Sequence, residues 1–510
     1  MLKTVFKLNV KFVDVKTLIL FDYLLINYLM TLNIKKGAPL EINTKQLLEQ
    51  IQCEDTGTSQ TRNKVCEFLL KQIRDGIIAF PYHVNFTKST EELFNNLKNY
   101  VPQVKVVSKY HLYSYYPQHK LYLPPSFRGE NVIITSNHED YLNVNVISDH
   151  FIEDVRLKAI HFDQQKTYDD QCSPLQIWES DHHIKDVLWE CLTHPIITYQ
   201  VLREALYHNA VECNLFRPTW AKSLIEIVVG KDKPDLSWLD ISAGWGDRLL
   251  TAMALNINYT GYDPNNKLKR GHDRMIEMFG DKNKHQVHYQ PFETSDVGQE
   301  IYDIVLTSPP FFDVEIYDAH SPTQSINRYP TFVEWMTRFL FVSLIKAWQA
   351  LKVGGYLILN VGDSKTVHIT EPMLLFIEKE LEGSSFEGVI GTDGHSGHPR
   401  PTWVWKKLAP FDEKRTLWKP YVQRSMKIMY PELATEIHKI KAGLKAPDYF
   451  NMCDILRSVL LRVKEETRHN DKLRQCALRV MADTLMIYCL LDKEGLENTV
   501  EWVLDTASER

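Results

Sequence analysis

The chain contains no CxxC pair and no regular cysteine framework: its eight cysteines stand at 53, 66, 172, 191, 213, 453, 476 and 489. That scatter excludes the spacing of a zinc site or a disulfide scaffold and fits free thiols in a reducing compartment, so neither metal nor bridge is expected. An excess of basic residues is missing too. A net charge of -6 over 510 residues argues against a wholesale cationic coat, and a polyanionic partner would need a local basic face. Internal repeats and long low-complexity tracts are absent. The opening "MLKTVFKLNVKFVDVKTLILFDYLLINYLM" is apolar but interrupted by Lys11, Asp14, Lys16 and Asp22, so it lacks the uninterrupted run of about 18 residues that a membrane span needs. No small-residue cleavage site follows it. The expectation is therefore no membrane partner and an intracellular location, cytoplasm or nucleus. Met30 opens the alternative that the 29 residues before it are an upstream gene-model extension.

What is present is ordinary globular composition, 44% hydrophobic and 24% charged, with a clear change of pattern along the chain. Residues 1–43 read as an apolar N-terminal extension and 44–213 as an α+β region. Helical periodicity marks "TKQLLEQIQ" and "VCEFLLKQI" in that region, β-branched and Tyr-rich runs suggest strands from about Val101 to Val146, and helices return in "HFIEDVRLKAIHF", "SPLQIWE" and "VLREALYHNAV". From 214 to 408 strands alternate with helices. The strands are "SWLDIS", "NYTGYD", "HQVHYQ", "YDIVLTS", "GYLILNVG", "FEGVIG" and "TWVWKK", and the longest helix is "TFVEWMTRFLFVSLIKAWQAL", whose aromatics suit a core. Such alternation is the signature of an α/β, doubly wound, Rossmann-like sheet covered on both faces. The remainder, 409–510, reads as helical with a basic start, ten Lys/Arg against four Asp/Glu between Thr402 and Ala446.

Two motifs carry chemistry. The first strand ends in "LDISAGWGDRLL": Asp240 closes it, Ser242, Ala243, Gly244 and Gly246 form a loop that lets backbone approach a ligand, and a helix opens behind it. The second strand ends in "YTGYDPNN", which places Asp263 where a carboxylate binds ribose hydroxyls in nucleotide-binding folds. NAD is the first rival for such a site. Its pattern wants a third glycine at the helix start, where this chain has Leu249. A cofactor without a pyrophosphate fits better.

The second motif, "DIVLTSPPFFDVEIY", ends the fourth strand with Ser308, Pro309, Pro310 and Phe311. Two prolines remove two donors and fix two φ angles, forming a stiff lip. Glycine loop, acidic residue and fourth-strand SPPF, in that order, resemble the S-adenosylmethionine-dependent amino-methyltransferases, which carry (D/N/S)-P-P-(Y/F/W) at this place. The resemblance spans about Phe216 to Lys407, roughly two fifths of the chain. It implies S-adenosylmethionine as cofactor, with Asp240, Gly244 and Gly246 around its methionine part, Asp263 at the ribose, Glu293 near the adenine, and Thr219, with Arg217, in "NLFRPTWAK" near the carboxylate end.

The lip then has a physical role. An exocyclic amino group conjugated to a base is a poor nucleophile, so its N–H groups need acceptors while the nitrogen becomes tetrahedral. Ser308 Oγ and the Pro309 carbonyl, held rigid by Pro310, suit that task, and Phe311 suits stacking on a base swung out of its helix. A C5-cytosine enzyme would need a cysteine nucleophile, usually after a proline, and none of the eight follows one. In the family, serine at the first position goes most often with cytosine N4, Asp or Asn with adenine N6, and Asn with guanine N2 in RNA. The leading expectation is a DNA amino-methyltransferase acting on cytosine N4 or adenine N6, with the flanking regions supplying target recognition. The alternatives are an RNA adenine-N6 or guanine-N2 enzyme, a protein or small-molecule amine substrate, and a non-catalytic binding protein on the same scaffold.

Nucleic acid would meet the basic "KRTLWKPYVQRSMKIMY", where Lys419, Arg424 and Lys427 alternate with Trp418, Tyr421 and Tyr430, and Arg400 in "DGHSGHPRP" is a candidate phosphate contact. Two histidines three apart in that turn lack further ligands for a metal. Asp313, Glu315 and Tyr317 beyond the lip either shape a target pocket or belong to a solvated loop, and Phe312 is expected in the core.

Overall fold

The computed structural model describes residues 40–50, 59–108, 126–135, 143–162, 171–231, 233, 235–363, 369–393 and 399–411. The described residues fall into two compact units, those of Met1–Thr87 with Pro174–Val211 and those of Lys88–Ser173 with Glu212–Arg510.

The first unit is mostly helical, with helices Thr44–Gln50, Ser59–Arg74, Pro174–Glu179, His183–Cys191 and Tyr199–Asn209. A two-residue antiparallel ladder, Ile42–Asn43 with Ile196–Ile197, joins its two chain segments. Leu69, Ile184, Leu188 and Leu202 are buried in it. The Thr198 hydroxyl caps the last helix by accepting from Val201 N at 3.2 Å.

The second unit is built on a nine-stranded sheet. Its strands in chain order are β1 (Val104–Val107), β2 (Asn131–Ile134), β3 (Ser237–Asp240), β4 (Asn258–Tyr262), β5 (His285–His288), β6 (Tyr302–Thr307), β7 (Leu351–Asn360), β8 (Ser384–Thr392) and β9 (Arg400–Lys407). The spatial order is β1-β2-β8-β9-β7-β6-β3-β4-β5. From β7 to β5 every neighbour is parallel, whereas β9 runs antiparallel to both β7 and β8. The seven strands from β3 to β9 coincide with the seven expected from the sequence.

Alternate residues feed two cores, as a sheet covered on both faces requires. Ile304, Leu306, Ile358 and Val404 join one cluster, and Val305, Leu357, Leu359, Trp403 and Trp405 join the other. Helices α1 (Thr90–Asn99), α2 (Asp149–Arg156), α3 (Pro218–Val228), α4 (Asp247–Leu255) and α5 (Lys269–Phe279) contribute to the first. Helices α6 (Phe341–Ala350) and α7 (Thr370–Glu380) contribute to the second. A π-helical turn, Trp335–Leu340, leads into α6. Its Trp335, with Phe341 and Trp348 of α6, is fully buried, as expected for core aromatics.

Strands β1 and β2 extend the sheet beyond the Rossmann-like part, because β2 pairs in parallel with the end of β8. Lys88–Ser173 therefore belongs with the sheet, and the division between units falls inside the 44–213 stretch. Residues 409–510 lie outside the described residues from 412 onward. Among the described residues no helix is long and apolar enough to cross a membrane.

Candidate active site

The order of the parallel strands reverses at β3, which has β4 on one side and β6 on the other. In open α/β sheets the crevice at the carboxyl ends of such a pair is where ligands bind. Asp240 ends β3, Asp263 follows β4, Glu293 lies in the turn Phe292–Thr294 after β5, and Ser308–Phe311 follow β6. The topology thus gathers the two sequence motifs at one end of the sheet.

The glycine loop is held from beneath. Asp240 is fully buried: Oδ2 accepts from Arg248 Nε at 2.6 Å and from the Tyr259 hydroxyl at 2.8 Å, and Oδ1 accepts from Ser242 N at 3.2 Å. Arg248 also donates to the Ser242 carbonyl. Asp240 was expected beside a ligand's methionine part. Its oxygens are engaged by these partners, which brace the loop from beneath. Ala243 N donates to the Tyr262 carbonyl at 2.7 Å, stitching the loop to β4. Gly244 and Gly246 both have positive φ, 57° and 90°. A Cβ on Gly246 would lie 2.7 Å from Met275 Sδ, so the end of the Met275 side chain would have to shift, and the positive φ itself favours glycine.

Asp263 closes the other side. Its Oδ2 accepts from Gly244 N at 2.8 Å and its Oδ1 from Asn265 N at 2.9 Å. Burial pushes its carboxyl up to about 6, against the pull of those two amides. Asn265, itself buried, has an amide nitrogen with no hydrogen-bond partner. His272 of α5 completes the support. Its Nε2 faces the Gly244 carbonyl at 3.0 Å and its Nδ1 the Tyr289 hydroxyl at 3.0 Å. A carbonyl can only accept, so Nε2 carries the proton and Nδ1 accepts from Tyr289. Burial holds His272 down to about 4, which keeps it neutral at pH 7.

Glu293 is buried, with Arg328 Nη1 at 2.8 Å from Oε1 and the Tyr329 hydroxyl donating to the same oxygen at 3.2 Å. Burial raises its carboxyl and Arg328 opposes the rise. Thr219 is fully buried in the first turn of α3, and its hydroxyl donates to Asn145 Oδ1 at 2.6 Å. Its proton is therefore engaged within the protein. Arg217, at the cap of α3, lies 3.6 Å from Asp393 and over the Trp220 ring at 4.6 Å.

The lip is half-buried at Ser308, Pro310 and Phe311 and buried at Pro309. Among the described residues no group hydrogen-bonds the Ser308 hydroxyl, and Thr307 Oγ1 beneath it is buried without a partner. Phe312 turns back into the core at a φ of 56°, packing on Phe332 and Trp335 at ring distances of 5.5 and 6.0 Å. That places it in the core, as expected, with the π-helical turn as its floor.

Glu315 and Tyr317 are half-buried and hydrogen-bonded. Glu315 accepts from Asn214 N at 2.9 Å and from the Tyr317 hydroxyl at 2.7 Å. The Tyr317 ring meets Trp245, between the two loop glycines, edge-on at 5.6 Å. The segment after the lip is thereby joined to the glycine loop. Lys267 to Asp318, at 2.7 Å, ties it again to the turn after β4. Arg400 opens β9 and is half-buried, close enough to Arg217 for its charge to oppose Arg217's protonation. Lys419, Arg424 and Lys427 lie outside the described residues.

Sequence reasoning missed His272, Tyr289, Asn145 and the Arg328–Tyr329 pair. Their partners lie at least 17 positions away, as His272 to Tyr289 does, so no local spacing betrays them. Tyr259 lay on a recognised strand, but its side-chain direction had no visible partner.

The arrangement β5-β4-β3-β6-β7-β9-β8, with antiparallel β9 inserted before β8, is the Rossmann-like class I methyltransferase fold. No family model matches the chain. No curated protein matches it either. Solved structures do. TrmN from Thermus thermophilus shares 15% identity over 38% of this chain and 49% of its own, with a TM-score of 0.28. An rRNA methylase from Streptococcus thermophilus shares 11% over 39% of this chain and 100% of its own, with a TM-score of 0.27. A Burkholderia thailandensis 1,6-didemethyltoxoflavin-N1-methyltransferase, solved with S-adenosylhomocysteine, shares 13% over 38% of this chain and 78% of its own, with a TM-score of 0.28. The chain thus spans about half the length of the first of these. At such values the strand order, rather than the likenesses, defines the fold.

Proposed function

We propose that the chain is an S-adenosylmethionine-dependent amino-methyltransferase acting on an exocyclic nitrogen of a nucleobase, with cytosine N4 in DNA as the leading target. The observation that carries this reading is the lip Ser308–Phe311 at the carboxyl end of β6, beside the glycine loop of β3 at the point where strand order reverses.

The strand ends suit an adenosine-bearing cofactor. Asp263 supplies a buried carboxylate for ribose hydroxyls, Asn265 has an amide donor two residues on that is unpartnered among the described residues, and Gly244, half-buried, leaves backbone open at the strand end. S-adenosylmethionine, when bound, supplies a methyl group on a sulfonium, which needs no metal to activate it.

The chain's own task is to present the nitrogen. Ser308 Oγ and the Pro309 carbonyl accept from the two N–H groups of the amine, which withdraws its lone pair from the ring and favours the tetrahedral geometry of attack. Pro310 fixes the carbonyl's direction. Phe311, half-buried against the core but not engulfed by it, offers a face to an extruded base. Burial pushes the Cys213 thiol well up, so it is a poor nucleophile at pH 7.

The test supplies purified protein and labelled S-adenosylmethionine with double-stranded DNA, single-stranded DNA or RNA, followed by digestion and mass spectrometry of the nucleosides. N4-methylcytosine in DNA is the expected product. N6-methyladenine would keep the lip's role and change the base, whereas label confined to RNA would move the substrate to the other polymer. Label in C5-methylcytosine, or none in any nucleoside, would overturn the reading.

A further inference from the structure

The turn Asn143–Val146, just before α2, lies outside the stretch that resembles the methyltransferases, yet it is bonded to the starts of two helices at the site. Asn145 accepts from the Thr219 hydroxyl in the first turn of α3 at 2.6 Å. Ser148, fully buried, donates at 2.7 Å to Oδ1 of Asp247, the first residue of α4 after Gly246. The two helices are themselves tied where Thr251 of α4 donates to the Pro218 carbonyl at 3.1 Å. Phe216 lies under the Arg248 guanidinium at 4.8 Å, and the Trp245 indole donates to the Asn214 carbonyl at 3.1 Å. The segment leading into α3 therefore runs along the glycine loop.

Asn145 is only 5% exposed, and among the described residues its Nδ2 has no hydrogen-bond partner. A buried amide donor without an acceptor is costly and rare in folded proteins. With the Thr219 hydroxyl donating to Oδ1, Nδ2 is the end of the amide left over. Its bond to Thr219 places it at the first turn of α3, whose backbone amides favour an anion. Arg217, paired with Asp393, caps the same helix, and Asp247 at the start of α4 is engaged by Ser148.

We propose that Asn145 Nδ2 donates a hydrogen bond to the carboxylate of the methionine part of S-adenosylmethionine, with Thr219 as the residue that positions it. This rests on the function proposed above and assigns the amino-acid end of the cofactor to a residue contributed from outside the Rossmann-like core. Thr219 thus acts one step removed from the ligand.

Calorimetry on the full chain tests the assignment with two ligands, S-adenosylhomocysteine and 5′-methylthioadenosine, which share the adenosine and thioether but differ in the amino-acid end. Asn145→Ala should weaken S-adenosylhomocysteine about tenfold or more, the effect of one charge-assisted hydrogen bond, and leave 5′-methylthioadenosine unchanged. Asn145→Asp keeps the size of the side chain but sets a carboxylate against a carboxylate, so it should weaken S-adenosylhomocysteine further, again sparing the shorter ligand. Equal loss of both ligands in both variants would assign Asn145 to the fold and overturn the proposal, as would unchanged affinity for both. A wild-type chain that binds neither ligand would instead remove the methyltransferase reading itself.

Discussion

On the proposed function Asp263 meets opposite demands without and with cofactor, and pH separates them. Its carboxyl stands at about 6 against 3.8 for an ordinary aspartate, as does that of Asp247, in both cases chiefly through burial. Folded chain therefore holds protons that unfolded chain has released. That contribution to stability is complete below about pH 4 and is lost as pH rises through about 6, so this part of the ligand-free chain's melting temperature should fall between about pH 4 and 6. Binding runs the other way. Ribose hydroxyls donate to an ionised carboxylate, so affinity for S-adenosylhomocysteine should rise across the same interval, and Asp263→Asn should abolish the rise. Asp263→Ala should weaken binding by about 1.5 to 3 kcal/mol at pH 7, the worth of hydrogen bonds to a charged group. A flat affinity profile in calorimetry, with or without the substitution, would remove Asp263 from the cofactor site. At the lip the split is kinetic. Ser308→Ala should lower the methylation rate about 100-fold with little change in cofactor affinity, as for loss of a group that acts mainly in the transition state. Phe311→Ala should weaken productive target binding by about 1 to 3 kcal/mol, the range for a lost base–aromatic stack. The reverse pattern in steady-state kinetics would exchange their roles.

At the scale of elements, the glycine loop and its supports act as one piece. Gly246 caps the start of α4 in a left-handed conformation, with the end of the Met275 side chain packed against it. Gly246→Ala should destabilise the chain by roughly 1 to 3 kcal/mol from backbone strain and weaken cofactor binding with it, measured by thermal melting with and without S-adenosylhomocysteine. A variant as stable and as tight-binding as the parent would mean that the loop bends elsewhere. The strands around it were legible because both faces of the sheet are buried: Ile304, Val305 and Leu306 form a continuous apolar run that reads as strand before any partner is known. Helix α1 was less legible, although Ser89 caps it by accepting from Glu92 N at 3.3 Å, because its apolar face is only Leu93, Phe94 and Leu97. The addition of β2 to β8 had no sequence signal at all, since Ile134 meets Thr392 across the whole intervening fold. The site divides the same way. Gly244, Asp263 and Ser308 of the proposed site are marked by local motifs, while His272 and Asn145 have partners that only the folded chain brings to them.

For the whole molecule, the formal charge of -6 sets the terms on which a polyanion can bind. Long-range attraction is unfavourable on balance, so affinity must come from a local cluster of cations close enough to phosphates to act within a Debye length of about 8 Å in physiological salt. Two cations near the lip are already engaged. Lys267 is paired with Asp318 at 2.7 Å and Arg328 with Glu293 at 2.8 Å, so neither is a ready phosphate contact. The sequence concentrates unmatched cations after the sheet ends, where Lys414, Arg415, Lys419, Arg424 and Lys427 fall within fourteen residues. Each phosphate neutralised releases counterions and steepens the salt dependence of binding by about 0.9 in log-log slope on duplex DNA, or about 0.7 on a single strand. Replacing Lys419, Arg424 and Lys427 together by glutamine should therefore reduce the slope by up to about 2 to 3 while leaving S-adenosylhomocysteine affinity unchanged. Fluorescence anisotropy with labelled oligonucleotides across a salt series reads the first quantity and calorimetry the second. If the slope is unaltered, the segment does not touch phosphate, and the target must be a nucleobase outside a long polymer or must be gripped by another surface.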